Sequence, residues 1–157
     1  MQQYYKRTFA IPVEYKGITF RSKLERDFAL YLDGELISHK NERYLRPPIK
    51  WEYEAREFEL APQEKWVDKT EIDTTVKKIK RNKKHTLQRV IYTPDFYLPD
   101  LNLYVECKGF QFDDALFALR FRWFKRVYPN VAIWKVTSHA DFPKLDEVIG
   151  ALKIGEK

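Results

Sequence analysis

The sequence predicts an α/β domain in which helices flank a central mixed β-sheet. Apolar residues recur at helical spacing in three segments and alternate at strand spacing between them. The predicted order is helix, several strands, helix, strand, helix, which is an α/β layer arrangement. With 157 residues, 44% hydrophobic and 33% charged, the chain has the composition of a soluble globular protein. We therefore expect residues 1–157 to form a single domain with one core.

Net charge and cysteine content limit which classes of function are compatible with the sequence. The net charge of +6 favours a polyanionic partner such as DNA. Cys107 is the single cysteine, which excludes a disulfide within the chain and a thiolate metal cluster. No segment resembles a signal peptide or reaches membrane-spanning length, so we expect no membrane partner. The expected location is the cytoplasm, either of the cell that encodes the protein or of a cell whose parasite encodes it.

The first half of the chain predicts one helix and two short strands. After an extended N-terminal arm, Ser22 is a natural N-cap, and apolar residues at helical spacing predict a helix over 23–33 that ends near Gly34. A polar loop with two prolines follows. The alternating segment 49–53 then predicts a strand, and 57–60 predicts another.

Residues 61–90 form a basic insertion. Between positions 76 and 90 there are seven cations and no acid. A turn at 81–84 would make this segment a basic hairpin that binds nucleic acid, whereas the alternative is a mobile, solvated lysine loop. The candidate nucleic-acid-binding residues are Lys77, Lys78, Lys80, Arg81, Lys83, Lys84 and Arg89.

The last part of the chain predicts helix, strand, helix. A helix begins at Asp113 or Asp114 and ends before Pro129. Its predicted apolar face contains Leu116, Leu119, Trp123 and Val127. Its cations Arg122, Lys125 and Arg126 either follow a phosphate backbone or form a solvated face. A strand over 131–136 and a helix opened by Pro143 complete the chain.

The segment YTPDFYLPDLNLYVECKGF, residues 92–110, predicts a β-hairpin with unexpected charges. Because side chains alternate along a strand, the apolar residues 103, 105 and 107 face the core, and Glu106 and Lys108 share the other face. If the two strands pair, Asp95 lies beside Glu106. We expect this acidic pair to face open solvent.

Two neighbouring carboxylates repel each other unless a cation lies between them. Oxygen ligands of this kind suit Mg²⁺ or Mn²⁺, and the backbone carbonyl of Cys107 would complete the site. Lys108 would orient or deprotonate an attacking water, or balance negative charge in the transition state. Together, the carboxylates, the metal ion and this lysine form a set that hydrolyses phosphodiesters. In the alternative, Asp95 only shapes a turn, and Glu106 with Lys108 is a surface ion pair.

The hairpin resembles the signature of the PD-(D/E)XK nuclease superfamily. The segments FRSKLERDFALYL, KWEYE and YTPDFYLP…YVECKGF, in that order, are similar to phage-type endonuclease I, a family of Holliday-junction resolvases. The resemblance spans about residues 17–136. It implies a restriction-endonuclease-like core and a Mg²⁺-dependent endonuclease with Asp95, Glu106 and Lys108 in the active site. The connection between 60 and 92 is longer than this family's, which leaves the preferred DNA shape open.

The resemblance adds Glu25 to the catalytic and metal-binding residues. Ser22 and Glu25 also fit a capping box, in which the glutamate accepts a hydrogen bond from the Ser22 amide and has no catalytic role. The predicted function is hydrolysis of DNA phosphodiester bonds, in branched DNA such as Holliday junctions. The alternatives are a restriction-like or repair nuclease and a non-catalytic nucleic-acid-binding protein. The family also implies a homodimer, because a symmetric dimer suits a two-fold substrate.

Overall fold

The computed structural model describes residues 11–68, 71–73, 78–80, 83–109 and 115–155. The chain divides into two compact units, which are described separately. The first contains Met1–Ala55, Pro94–Asp114 and Asn130–Lys157, and the second contains Arg56–Thr93 and Ala115–Pro129. Among the described residues, no helix is long and apolar enough to cross a membrane.

The helices and strands of the described residues are numbered in chain order. The helices are α1 (Lys23–Leu32), α2 (Ala115–Val127) and α3 (Leu145–Gly155). The strands of the first half are β1 (Val13–Tyr15), β2 (Ile18–Phe20), β3 (Ile37–His39), β4 (Glu42–Tyr44), β5 (Glu52–Tyr53), β6 (Phe58–Ala61) and β7 (Glu64–Asp68). Those of the second half are β8 (Glu71–Asp73), β9 (Lys78–Lys80), β10 (Lys83–Leu87), β11 (Val90–Tyr92), β12 (Phe96–Leu98), β13 (Leu103–Cys107) and β14 (Ile133–Val136).

The first unit is built on a four-stranded mixed sheet with the order β14-β13-β12-β5. Strand β13 runs parallel to β14, and β12 is antiparallel to both β13 and β5. The prediction of an α/β chain with a central mixed sheet and helices is therefore confirmed.

Aromatic rings from α1 and the sheet form much of the core of the first unit. Phe28 of α1 lies edge-on to Phe96 of β12 at 5.3 Å between ring centroids, and both are fully buried. Leu103, Val105 and Cys107 of β13 belong to the same buried cluster, as the alternation predicted. Aromatic residues make up 16% of the sequence, and the rings of this core account for part of them.

Helix α1 begins and ends where its capping residues predict. The Ser22 side chain accepts a hydrogen bond from the Glu25 amide, and Gly34 follows the helix with φ of +81°. The hairpin β3–β4 was not predicted. Its turn has positive φ at Lys40 and Asn41, a pattern typical of a tight two-residue β-turn.

The second unit packs α2 against the antiparallel pair β6–β11. Phe124 is fully buried, with its ring 5.0 Å from Phe58 and 4.8 Å from Tyr92. The predicted apolar face of α2 is wrong, because the packed rings are Phe117, Phe121, Phe124 and Tyr128. The side chains of Leu116, Leu119 and Val127 are exposed instead.

Within the basic insertion, the described residues form two antiparallel strand pairs, β7 with β10 and β8 with β9. The predicted turn at 81–84 is wrong, because Lys83 and Lys84 are strand residues opposite Asp68 and Val67. Lys77, Arg81 and the predicted helix start at Asp113 or Asp114 lie outside the described residues.

Candidate active site

The register of the central hairpin brings Asp95 and Glu106 to one face of the sheet. Phe96 pairs with Val105, so the preceding residue Asp95 stands opposite Glu106. Directly opposed residues of antiparallel strands project to the same side. The Tyr97 and Tyr104 rings share this face and stack at 4.6 Å.

Both carboxylate oxygens of Asp95 accept hydrogen bonds. The backbone N–H of Cys107 donates to Oδ2 at 2.7 Å, and Arg21 Nη2 donates to Oδ1 at 2.9 Å. The same Arg21 nitrogen lies 2.6 Å from Glu54 Oε1. One guanidinium therefore bridges two carboxylates from neighbouring strands.

The acidic residues are buried, contrary to the expectation that they face open solvent. The exposed fraction is 3% for Asp95, 5% for Glu25 and 8% for Glu106. Burial, together with the negative charges of Glu106 and Glu25, raises the pKa of Asp95 well above its ordinary value of 3.8. The Cys107 amide and Arg21 oppose this shift without cancelling it. The three carboxyl groups are therefore close enough for their charges to interact.

The same cluster stabilises the charged form of Arg21, whereas it disfavours the charged form of Asp95. Burial disfavours its charge, but the hydrogen bond with Tyr53 and the charges of Asp95 and Glu54 outweigh this and raise the pKa of Arg21. The guanidinium is therefore a permanent cation beside Asp95. It partly neutralises a cluster that would otherwise hold uncompensated negative charge.

The backbone of Glu54 has a conformation that non-glycine residues rarely adopt, with φ of +48°. Its amide donates to the Asp95 carbonyl at 2.8 Å, which continues the pairing of β5 with β12. This conformation occurs where the Glu54 carboxylate meets Arg21. Such backbone outliers cost about 1–3 kcal/mol and cluster at functional sites.

Glu25 is held at the N-terminus of α1 by three hydrogen bonds. Its Oε2 accepts from the Tyr53 hydroxyl at 2.7 Å and from the Arg21 amide at 3.1 Å, and its Oε1 accepts from the Ser22 hydroxyl at 2.8 Å. The predicted bond to the Ser22 amide is replaced by one to the Arg21 amide. Burial and the hydrogen bond with Glu25 raise the pKa of Tyr53, so Tyr53 remains a hydrogen-bond donor. Glu25 thus caps the helix and also borders Asp95.

Cys107 and Lys108 extend the site along the edge of β13. Burial, with the charges of Asp95 and Glu25, raises the pKa of the Cys107 thiol, so its side chain is a neutral core group. The Lys108 amide donates to the Val136 carbonyl at 2.8 Å, which continues the ladder between β13 and β14. Strand alternation gives Lys108 the same face as Glu106. The Cys107 carbonyl as a metal ligand stays a prediction.

The predicted nucleic-acid-binding cations belong to the second unit. Lys83, Lys84 and Arg89 are exposed, and Arg89 forms an ion pair of 3.2 Å with Glu57. Lys78 and Lys80 lie in strand β9. The α2 cations Arg122, Lys125 and Arg126 are exposed. Their binding to nucleic acid stays a prediction.

The carboxylates of Glu25 and Glu106, whose charges act on Asp95, offer the oxygen ligands that hard divalent cations prefer. Within the described residues, no group of three or more His, Cys, Asp and Glu is arranged to hold a metal ion. Mg²⁺ commonly uses only one or two carboxylates and completes its shell with water and phosphate. Asp95 and Glu106 as such a ligand pair stay a prediction.

Sequence reasoning missed Arg21, Tyr53 and Glu54. Arg21 directly precedes the N-cap, a position that carries no signal for a contact with residue 95. Tyr53 belongs to the alternating segment 49–53 that predicted a strand, and with Trp51 it packs against the core cluster. A weak signal for a site was the run of charged and aromatic residues 52–54.

Comparison of the chain with family models, curated proteins and solved structures finds no match. The superfamily resemblance therefore rests on the quoted residues alone and stays a prediction.

Proposed function

We propose that the chain is a divalent-metal-dependent endodeoxyribonuclease that hydrolyses DNA phosphodiester bonds, with branched DNA such as Holliday junctions as its substrate. Its core would be restriction-endonuclease-like, and it would act in a bacterial cytoplasm, encoded by the cell or by a phage. A homodimer would match the two-fold symmetry of a junction.

The observation that carries this proposal is the buried acidic cluster around Asp95. Burying carboxylates close together is unfavourable, and a protein that needed only stability would replace them with apolar residues. The raised pKa of Asp95 is the signature of such a cluster, and perturbed pKa values concentrate at functional sites. The cluster also lies on the residues of the nuclease signature, which supports the assignment.

Asp95 and Glu106 would hold Mg²⁺ or Mn²⁺. The metal ion would supply charge stabilisation at the phosphate and lower the pKa of a bound water. Lys108, on the same strand face as Glu106, would orient the attacking water or balance negative charge on phosphorus. Water adds its oxygen to phosphorus, the bond to the leaving sugar oxygen breaks, and that oxygen receives a proton. The products are one phosphate monoester and one hydroxyl.

Arg21 and Glu25 would position these groups. Glu25 holds the Tyr53 hydroxyl and the Arg21 amide, which orients the backbone that carries the guanidinium. Glu25 would complete the metal site or steer its water once these bonds rearrange. Arg21 would leave Asp95 when the metal binds, and its charge would then be available to a phosphate.

A four-way junction, a linear duplex of the same sequence and a supercoiled plasmid, each incubated with Mg²⁺ or EDTA, test this proposal. We expect Mg²⁺-dependent cleavage with preference for the junction. Cleavage of plasmid and duplex but not junction would instead indicate a restriction-like or repair nuclease. Binding without cleavage at any Mg²⁺ or Mn²⁺ concentration would reject nuclease activity.

A second candidate is a non-catalytic nucleic-acid-binding protein. The observation that favours it is the full pairing of Asp95, whose two oxygens already accept from Cys107 and Arg21. In that case the cluster is a structural ion-pair network. Metal ions would then leave both the stability and the DNA affinity of the protein unchanged.

A further inference from the structure

The ribbon formed by β7 and β10 is exposed on both of its faces. Most side chains of the two strands are exposed, and only Asp68 and His85 are partly buried. A two-stranded ribbon without a core to pack on is marginally stable in water. Such a ribbon gains stability when a partner covers it.

One face of the ribbon carries a stacked aromatic pair. Trp66 stands directly opposite His85, and their rings stack at 5.1 Å with an angle of 14°. His85 covers one side of the indole, yet 49% of Trp66 remains exposed. A large aromatic ring that stacks on a neighbour with one side and is exposed on the other can stack on a further planar group.

The opposite face of the ribbon is basic. Lys65 and Lys84 alternate there with Val67 and Thr86, because each is one residue away from the Trp66–His85 pair. All four side chains are exposed. Residues 61–90 contain nine Lys and Arg but only four Asp and Glu, so most of the net charge of +6 resides in this segment.

We propose that the β7–β10 ribbon is a binding arm for unpaired nucleotides. A single strand would pass around one edge of the ribbon, so that Trp66 stacks on a base on one face and Lys65 and Lys84 hold the phosphate backbone on the other. The proposal rests on the proposed function only in taking DNA as the partner. Stacking on an aromatic ring requires a base that is free of its own stack. The arm would therefore favour the single-stranded or unpaired bases found at a branch over a continuous duplex.

The positive charge of this segment favours DNA over a second copy of this chain as the partner that covers the ribbon. An apolar ribbon edge often pairs with another strand, and Val67 and Leu87 add exposed apolar surface here. A second copy, however, would bring two strongly basic segments together, and their like charges repel. A polyanion gains counterion release from the same charges.

The test is binding of fluorescent oligothymidylate, measured by anisotropy in EDTA so that no cleavage occurs. Stacking contributes about 1–3 kcal/mol per base, so Trp66→Ala should weaken binding by about 5- to 150-fold. Trp66→Phe, which keeps a ring, should retain most of the affinity. Val67→Ala, on the opposite face, is the matched control and should bind within about twofold of the unaltered protein.

The cations are tested by the salt dependence of the same binding. Lys65→Gln with Lys84→Gln should lower the slope of log affinity against log salt by about 0.7 for each single-strand phosphate that the variant no longer neutralises. Trp66→Ala should reduce affinity and leave this slope unchanged. Circular dichroism melting checks that each variant is folded, and Trp66→Phe tests the ring if Trp66→Ala melts early.

Three outcomes would overturn the arm. The first is that the unaltered chain does not bind oligothymidylate. The second is that Trp66→Ala and Trp66→Phe both bind it normally. The third is that Trp66→Ala converts a dimer to a monomer with unchanged DNA affinity. The last result assigns the ribbon to self-association. If the ribbon variants lose binding while the unaltered protein never cleaves DNA with Mg²⁺, the arm stands and the proposed nuclease activity fails.

Discussion

Strands β13 and β10 each have five residues and each carries charge, but their surroundings are opposite. Every residue of β13 is buried, whereas four of the five residues of β10 are exposed. Charge on β13 lies in a cluster where burial raises the pKa of the neighbouring Asp95. Charge on β10 remains solvated.

The comparison shows how burial changes the use of the same residue types. A buried carboxylate is costly to ionise, so it binds a cation strongly or takes a proton. Solvated lysines interact weakly with each other but add up along a polyanion. We therefore propose that the β12–β13 hairpin carries the chemistry and that the ribbon binds the DNA. The predictions below test this division.

The largest effect is expected from Asp95→Asn. The amide keeps the size of the side chain but loses the charge that would hold a metal ion, so cleavage should fall by about 10³-fold or more while DNA affinity is retained. Asp100→Asn is the matched control, because Asp100 is exposed in the turn of the same hairpin. Equal loss of activity in both variants would show that Asp95 has no specific catalytic role.

Lys108→Ala should lower cleavage by about 10²- to 10⁴-fold with unchanged DNA affinity, because its amine acts after binding. Single-turnover cleavage and anisotropy separate the two effects. Lys153→Ala removes an exposed lysine of α3 and should be active. Normal cleavage by Lys108→Ala would show that its assigned role is wrong.

Arg21→Gln tests the cation beside Asp95. Without metal, loss of the ion pairs with Asp95 and Glu54 should lower the free energy of unfolding by about 1 kcal/mol, a modest value because the Arg21 side chain is 61% exposed. Mn²⁺ should then raise the melting temperature of Arg21→Gln more than that of the unaltered protein, because the ion replaces the guanidinium. Equal increases in melting temperature would show that Arg21 does not compete with the metal ion for Asp95.

The raised pKa of Asp95 also predicts how stability depends on pH. The folded state binds the Asp95 proton more tightly than the unfolded state, so this stabilisation is complete below pH 3.8 and is lost as pH rises through the folded pKa. Asp95→Asn removes the effect. Denaturant unfolding should give similar stabilities near pH 4 and a higher stability for Asp95→Asn than for the unaltered protein at pH 8. An advantage that shrinks as pH rises would contradict the sign of the shift.

The smallest effect is expected from solvated cations of the ribbon. Lys83→Gln with Lys84→Gln should weaken DNA binding and reduce its salt dependence by about 0.7 to 0.9 for each phosphate that is no longer neutralised, with cleavage unchanged at saturating enzyme. The same pair of changes at Lys50 and Lys153, exposed in the first unit, is the control. A large loss of cleavage at saturating enzyme would contradict the proposal that the ribbon cations contribute to DNA binding and not to catalysis.

The sequence predicted the face shared by Asp95 and Glu106 because alternation and register in a short hairpin are local properties. The caps of α1 were predictable for the same reason. The contact between Arg21 and Asp95 joins residues 74 positions apart and depends on how α1 meets the sheet. No local pattern contains that information. Burial of the acidic pair also depends on tertiary packing and was missed.

The errors in the second unit have a different cause. Helix α2 carries two apolar stripes offset by one residue, and periodicity cannot decide which one packs. The aromatic stripe around Phe124 does so, because its rings meet Phe58 and Tyr92. In the ribbon, the cluster at 81–84 resembles a turn, but cross-strand pairing places Lys83 and Lys84 in β10.

The most direct test of the account is a crystal structure with Mn²⁺, located by its anomalous scattering. We expect one ion within about 2.2 Å of oxygens from both Asp95 and Glu106, with the Arg21 guanidinium displaced from Asp95. The absence of an ion at saturating Mn²⁺, with the Arg21–Asp95 pair intact, would contradict the proposal that this hairpin is a metal-dependent active site.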